Sequence, residues 1–211
     1  MEQVFYHLGN FVYGAMGITA AWGAYCVIMV WMRVAQKRFR SEQQQMEFLA
    51  AMHESLSRGD FDSAHDMSSN DRRAMCQLAN LAIENRQMGY AKVKQLVADR
   101  FQQDVLSDLE HRLDWVNTVI KSAPMMGLLG TVMGMMGAFQ KLGRATGGVN
   151  AAELANDIMF ALITTALGLT IAIPLVLAVA SINIRIKKME DLVTTGLNQF
   201  FEILRDAFAR R

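Results

Sequence analysis

The sequence predicts an all-α membrane protein with three transmembrane helices, the second and third extended into a cytoplasmic helical bundle. Three observations carry that prediction. No Lys, Arg, Asp or Glu occurs in residues 3–32, in about 19 residues at 122–140, or in about 27 residues at 158–184, against the roughly 20 a helix needs to cross a bilayer. Only 2 of the 211 residues are Pro, while 52% are hydrophobic and 16 are Met, a profile of long unbroken helices rather than of strands punctuated by turns. Outside the charge-free stretches, apolar residues recur every three or four positions, the helical period.

Taken in order, residues 1–10 form an external N-terminus and 11–33 the first span. A signal peptide carries its basic residues before a short apolar core; here Arg33, Lys37, Arg38 and Arg40 follow the core and none precedes it, which predicts a retained helix. Trp22, Tyr25 and Trp31 serve it as amphipathic or interfacial aromatics, and the basic cluster places the following segment in the cytoplasm and the N-terminus outside. Residues 34–115 form a cytoplasmic helical region. Met46, Leu49, Met52 and Leu56 make one stripe there. SRGDFDSAHDMSSND then turns the chain at Gly59, with Asp60 as the N-cap of the next helix. From about Asp71 the period resumes through Leu78, Ile83, Val93, Leu96, Val97, Phe101, Val105, Leu109, Arg112 and Trp115, interrupted only by Gly89 before Pro124.

That pattern runs into the second span, 116–140, so the helix continues from cytoplasm into membrane. Residues 141–156 are a short external loop of mixed charge, and 157–184 the third span. Arg185, Lys187 and Lys188 bring the chain back inside. The tail, 185–211, repeats Ile186, Met189, Val193, Leu197, Phe200, Leu204 and Phe208 at helical spacing. Stripes this long pack helix on helix, and with so little soluble core some of that packing is expected between subunits.

Several function classes drop out. A formal net charge of +1 gives no electrostatic case for nucleic acid. Cys26 and Cys76 fall in a membrane helix and a soluble segment, so no disulfide is expected between them, and no Cys/His spacing marks a metal. His7, His53, His65 and His111 are scattered and read as structural or solvated. The sequence holds no nucleophile–base pair or phosphate loop, so no enzyme activity and no cofactor are expected.

The membrane segments carry the interest. Gly127, Gly130, Gly134 and Gly137 are spaced three, four and three apart and form one groove along a helix face. Membrane helices associate through such small-residue surfaces because lipid supplies no hydrophobic drive between them. Met125, Met126, Met133, Met135 and Met136 surround the groove, unbranched and adaptable. Thr131 lies one turn from Gly127, at the border of the groove; alone it reads as a hydroxyl bonded back to its own helix. In the third span, Asp157, Ala161, Thr164, Thr165 and Gly168 trace a narrow small-and-polar stripe. Hydroxyls on two neighbouring small-residue faces can line a polar path between helices, here Thr131, Thr164 and Thr165. Pro174 frees the carbonyl of Thr170 or kinks the helix.

APMMGLLGTVMGMMGAF, a short loop and ALITTALGLTIAIPLV together resemble the ExbB/TolQ/MotA family of proton-channel subunits, most closely its ExbB/TolQ branch. RGDFDSA and LEHRLDWVNTVIKSAP resemble the soluble part of that branch, so the resemblance covers nearly the whole chain. It implies a bacterial inner-membrane homo-oligomer, a pentamer, around the transmembrane helices of an ExbD/TolR-like partner. Flow of transported H+ or Na+ then drives motion of one against the other. An ExbB-like member energises outer-membrane transport through a TonB-like protein, and a TolQ-like one serves envelope constriction. The family's pore threonines correspond to Thr131 and Thr165.

One departure stands out. The branch usually carries a glutamate in the third span, and the matching residue here is Phe160. Asp157, one turn nearer the outside, is the only acid left in the spans, where a carboxylate is costly and usually functional. Three explanations stay open: the partner supplies the acid, Asp157 partly replaces it, or this member conducts Na+ or only scaffolds a related channel. MotA-like subunits also lack the glutamate, but they have four spans. The function expected is therefore an ExbB-like motor subunit. A non-conducting accessory scaffold, or a TolQ-like envelope-maintenance subunit, is the alternative.

Overall fold

The computed structural model describes residues 2–39, 41–144 and 151–209, and no strand occurs among them. Seven α-helices follow in order: α1 (Glu2–Lys37), α2 (Glu42–Ser57), α3 (Phe61–Ser69), α4 (Ala74–Glu84), α5 (Tyr90–Arg100), α6 (Ser107–Arg144) and α7 (Ala151–Ala209). The chain divides into two compact units. One comprises Met1–Met29 and Arg112–Ala180, the other Val30–His111 and Ser181–Arg211.

Three stretches within these helices are long and apolar enough to cross a membrane: Asn10–Lys37, Tyr90–Gly143 and Leu154–Ala207. The expected entry of the second and third spans into longer helices is observed, because α6 runs for 38 residues through Pro124 and α7 for 59 through Pro174. α6 also runs through Arg144 before α7 begins at Ala151, so helix takes up both ends of the expected 141–156 loop; its residues 145–150 lie outside the described ones. The side chains of His7 and Phe208 do so too.

In the first unit, Gly23 of α1 meets Leu175 and Val119; a Cβ there would stand 2.8 Å from each. Val12 and Met16 of α1 bury against Met133 of α6, with Met126 and Ile171 packed alongside. Phe11, Ile18, Trp22, Leu128, Leu162 and Leu177 are exposed. Apolar surface on this scale needs a cover of lipid or neighbouring subunits.

In the second unit the turns follow the expected chemistry. Gly59 has φ +76° and Gly89 φ +86°, a region that side-chain-bearing residues avoid. Asp60 caps α3, its Oδ1 accepting from the Ser63 amide at 3.0 Å. The Ser41 hydroxyl oxygen does the same for α2, accepting from the Gln44 amide at 3.3 Å. The core gathers Met52, Leu56, Met75, Ile83, Leu109, Met189, Phe200 and Leu204. Arg73 lies over the Phe39 ring at 4.2 Å and its Nε donates to both oxygens of Asp71. Burial alone would raise the Asp71 carboxyl, but the Arg73 bonds outweigh it and hold it below the usual range. Cys76, buried beside them, is pushed up to about 12 by burial first and the Asp71 charge second, so its thiol stays protonated and unreactive.

Three details of the helical pattern differ from expectation. The break expected at Gly89 is present, preceded by a 3-10 turn at Arg86–Met88, but a π-helical turn at Phe101–Leu106 that the pattern does not announce joins α5 to α6. Trp115 is exposed while Leu109, Leu113 and Val116 are buried. Met46 is exposed and its neighbour Gln45 is buried instead. Gln45 Nε2 donates to the Leu192 carbonyl at 2.6 Å and fills the space that a Cβ on Gly196 would need. A buried amide with its partner in place outcompetes an apolar neighbour that has no cavity to enter. Gln45→Ala is expected to lower stability by about 1–2 kcal/mol, read as a lower thermal midpoint in detergent, whereas Met46→Ala leaves the midpoint in place.

Candidate functional site

The space beside Gly127, Gly130, Gly134 and Gly137 of α6 is occupied by α7 of the same chain. A Cβ on Gly127 would stand 2.8 Å from the Thr164 carbonyl oxygen and 3.0 Å from the Thr165 Cα. One on Gly130 would run into the Thr164 side chain. At Gly134 the obstruction is the Ala161 Cβ and the Asp157 carbonyl, each at 2.8 Å, whereas at Gly137 a Cβ would only touch the Asp157 carboxylate, at 3.7 Å. Gly168 returns the fit, its would-be Cβ lying 2.7 Å from the Ala123 carbonyl and 3.2 Å from the Pro124 Cα. Backbone therefore approaches backbone over about three helical turns, from Ala123 to Gly134, the close packing that small residues permit in a membrane.

The threonines divide by position on this seam. Thr164 is fully buried in it; its hydroxyl donates to Ala161 at 2.8 Å and reaches the Gly127 carbonyl at 3.3 Å. Thr165 is half-buried and donates across the seam to Gly127 at 3.1 Å. Thr131 is half-buried and donates to Leu128 of its own helix at 2.7 Å. Its amide is the regular in-helix partner of the Gly127 carbonyl, four residues earlier. Gly127 thus links the two threonines, although their hydroxyls do not bond each other. Thr170 donates to Ala166 at 2.8 Å on the exposed face of α7, and Pro174 is exposed within the same unbroken helix.

Helical phase sets which border each residue occupies. Met126 and Met133 face α1, and both stand about 140–160° around α6 from Thr131 at 100° per residue. Phe160 of α7 meets Tyr13 of α1 edge-on, ring centroids 5.3 Å apart, and stands about 140° from Thr165. Thr131 and Thr165 therefore share the border of the seam away from α1. Phe160 belongs to the α1 border.

Asp157 has a partner that the sequence did not single out. Its Oδ1 accepts a hydrogen bond from Lys141 Nζ at 3.0 Å, and Oδ2 lies 2.8 Å from the same ammonium. Oδ2 is buried and has no hydrogen bond of regular geometry among the described residues, so its contact with the ammonium is electrostatic. The signal was available: Lys141 and Asp157 are the first charged residues at adjoining ends of two antiparallel spans.

No group of three His, Cys, Asp or Glu side chains stands together as a metal cluster among the described residues. Fold and seam define an all-helical protein with three stretches long and apolar enough to cross a membrane and two half-buried threonines on one border of a glycine-packed helix pair. Residues 72–195, more than half of the chain, match the model of the MotA/TolQ/ExbB proton channel family. The chain belongs to that family, on its ExbB/TolQ branch. It is 42% identical over 86 residues to an ExbB-like biopolymer transport protein of Helicobacter pylori, covering 41% of this chain and 55% of that one. Tol-Pal system protein TolQ of Haemophilus influenzae is 37% identical over 106 residues, 50% and 46% of the two chains. Biopolymer transport protein ExbB of Xanthomonas campestris is 39% identical over 101 residues, 48% and 38%. The chain spans about half the length of the curated relatives it matches.

Proposed function

We propose that this chain is the channel-forming subunit of an ExbB-like inner-membrane motor, which uses the proton or sodium motive force to drive an ExbD-like partner and, through it, a TonB-like transport system. The observation that carries the reading is the shared position of Thr131 and Thr165. Both are half-buried, both border the glycine seam on the side away from α1, and both have acceptors that keep their hydroxyls oriented. The relatives named ExbB and TolQ support the class of partner. In this reading several copies, five by the family resemblance, turn that border toward a central partner helix. The N-terminus is periplasmic and the C-terminus cytoplasmic, in keeping with the basic residues that follow the first and third spans.

The accessory-scaffold reading draws on a different observation, the aromatic contact that takes Phe160 against Tyr13 and leaves no carboxylate beside the threonines. Co-expression with an ExbD-like protein from the same genome and native mass spectrometry of the tagged complex tests the assembly. Five copies of this chain with the partner retained is the expected result. A single copy, or an oligomer that excludes the partner, contradicts the reading.

A further inference from the structure

We propose that Lys141 is a built-in counter-cation for Asp157, so that Asp157 is a positioning residue clamping the outer ends of α6 and α7 and not the acid that carries the transported ion. The inference rests on the reading of this chain as a channel-forming subunit and assigns a role to the one acidic side chain in its spans.

The geometry is that of an occupied site. The ammonium stands within 3.0 Å of both carboxylate oxygens. An ion-carrying acid has to bind its cation and release it, whereas here the cation is covalently tethered to the neighbouring helix. Position supports the same conclusion. Asp157 packs over Gly137 at the last turn of the glycine seam, where a Cβ on that glycine would lie 3.7 Å from Oδ2. Its own carbonyl fills the space beside Gly134. Burying one carboxylate oxygen without a hydrogen bond is tolerable in a low-dielectric surrounding only while the opposite charge stays beside it. The pair therefore fixes the register of the two helices where the seam ends. Thr131 and Thr165 lie further along it, two turns of α7 from Asp157 in the case of Thr165, and are left without a carboxylate from this chain.

Removing the lysine should expose the acid. Lys141→Met leaves a carboxylate that must take a proton or a cation from the medium, so it becomes reactive toward dicyclohexylcarbodiimide and protected by sodium chloride but not by choline chloride. The experiment treats the complex with its ExbD-like partner with the carbodiimide and locates the adduct by peptide mass spectrometry. It also measures partner-dependent ion flux of the neutral double variant Lys141→Met/Asp157→Asn in liposomes. Expected are an unlabelled Asp157 in the wild type, a labelled one in Lys141→Met, and at least half of wild-type flux in the double variant. Labelling of Asp157 in the wild type, or loss of flux in a double variant that still assembles, overturns the proposal and makes Asp157 an ion carrier. If Lys141→Met does not fold, the wild-type labelling and the double variant still decide. Absence of flux in the wild-type complex is a separate outcome; it defeats the channel reading and takes this proposal with it.

Discussion

Valine in place of Gly127 or Gly168 is expected to produce the largest loss of stability available to a single substitution in the membrane unit. At both positions the atoms in the way are backbone: the Thr164 carbonyl and Thr165 Cα at 2.8 and 3.0 Å from Gly127, and the Ala123 carbonyl and Pro124 Cα at 2.7 and 3.2 Å from Gly168. No rotamer change relieves such contacts, so the helices must separate. Overpacking of this kind costs about 1–3 kcal/mol per site. Separation also breaks the crossing hydrogen bonds from Thr164 and Thr165 to Gly127, at about 1 kcal/mol each. The readout is the temperature at which half the detergent-solubilised protein loses its native elution volume. Gly17→Ala and Gly143→Ala serve as controls, since neither glycine has any atom within 4 Å of a built Cβ; their midpoints should stay at the wild-type value. Equal losses in all four variants would show that the seam is not what holds the spans together.

Replacing Thr131 and Thr165 together by valine should give the opposite pattern, with function lost and fold retained. Valine matches threonine in shape and removes only the hydroxyl. The Leu128 and Gly127 carbonyls keep their in-helix amides, so the stability cost is about 1–2 kcal/mol for the two lost bonds. A polar path without its hydroxyls, however, presents an apolar border to the ion, and partner-driven activity is expected to fall at least tenfold. Thr164→Val separates the two effects. That side chain is fully buried between helices, so its loss should lower the midpoint by a similar amount and leave most of the activity. Activity of the Thr131→Val/Thr165→Val double variant equal to wild type would remove the threonines from the mechanism.

How much of this was legible in the sequence varies by the physical origin of each feature. The three spans followed from charge-free length, and the turns at Gly59, Asp60 and Gly89 from residues with one conformational use. The glycine spacing announced a groove but not its occupant. A groove is a property of one helix, whereas its filling by Asp157, Ala161, Thr164 and Thr165 of the same chain is a property of the pair. Periodicity likewise proposed Met46 and Trp115 for the buried stripes, and tertiary contacts chose Gln45 and Val116 instead, because a hydrogen bond to Leu192 and the space at Gly196 have no sequence period. Thr131 and Thr165 came from the family resemblance, and helical phase then set both on the border away from α1. Phe160 was legible only as a missing acid; its contact with Tyr13 depends on a helix more than 140 residues earlier. Lys141 was hidden in what reads as a mixed-charge loop, because helix α6 continues through it.

In the function we propose, this chain conducts ions across the membrane together with its partner. The most direct test reconstitutes the wild-type complex in liposomes, imposes a potassium diffusion potential, and follows internal pH with a trapped dye and internal sodium in parallel. Partner-dependent flux of H+ or Na+ above that of empty vesicles is expected, falling at least tenfold in the Thr131→Val/Thr165→Val complex. Flux no greater than in empty vesicles, from a complex shown to be assembled, would contradict it and leave the scaffold reading in its place.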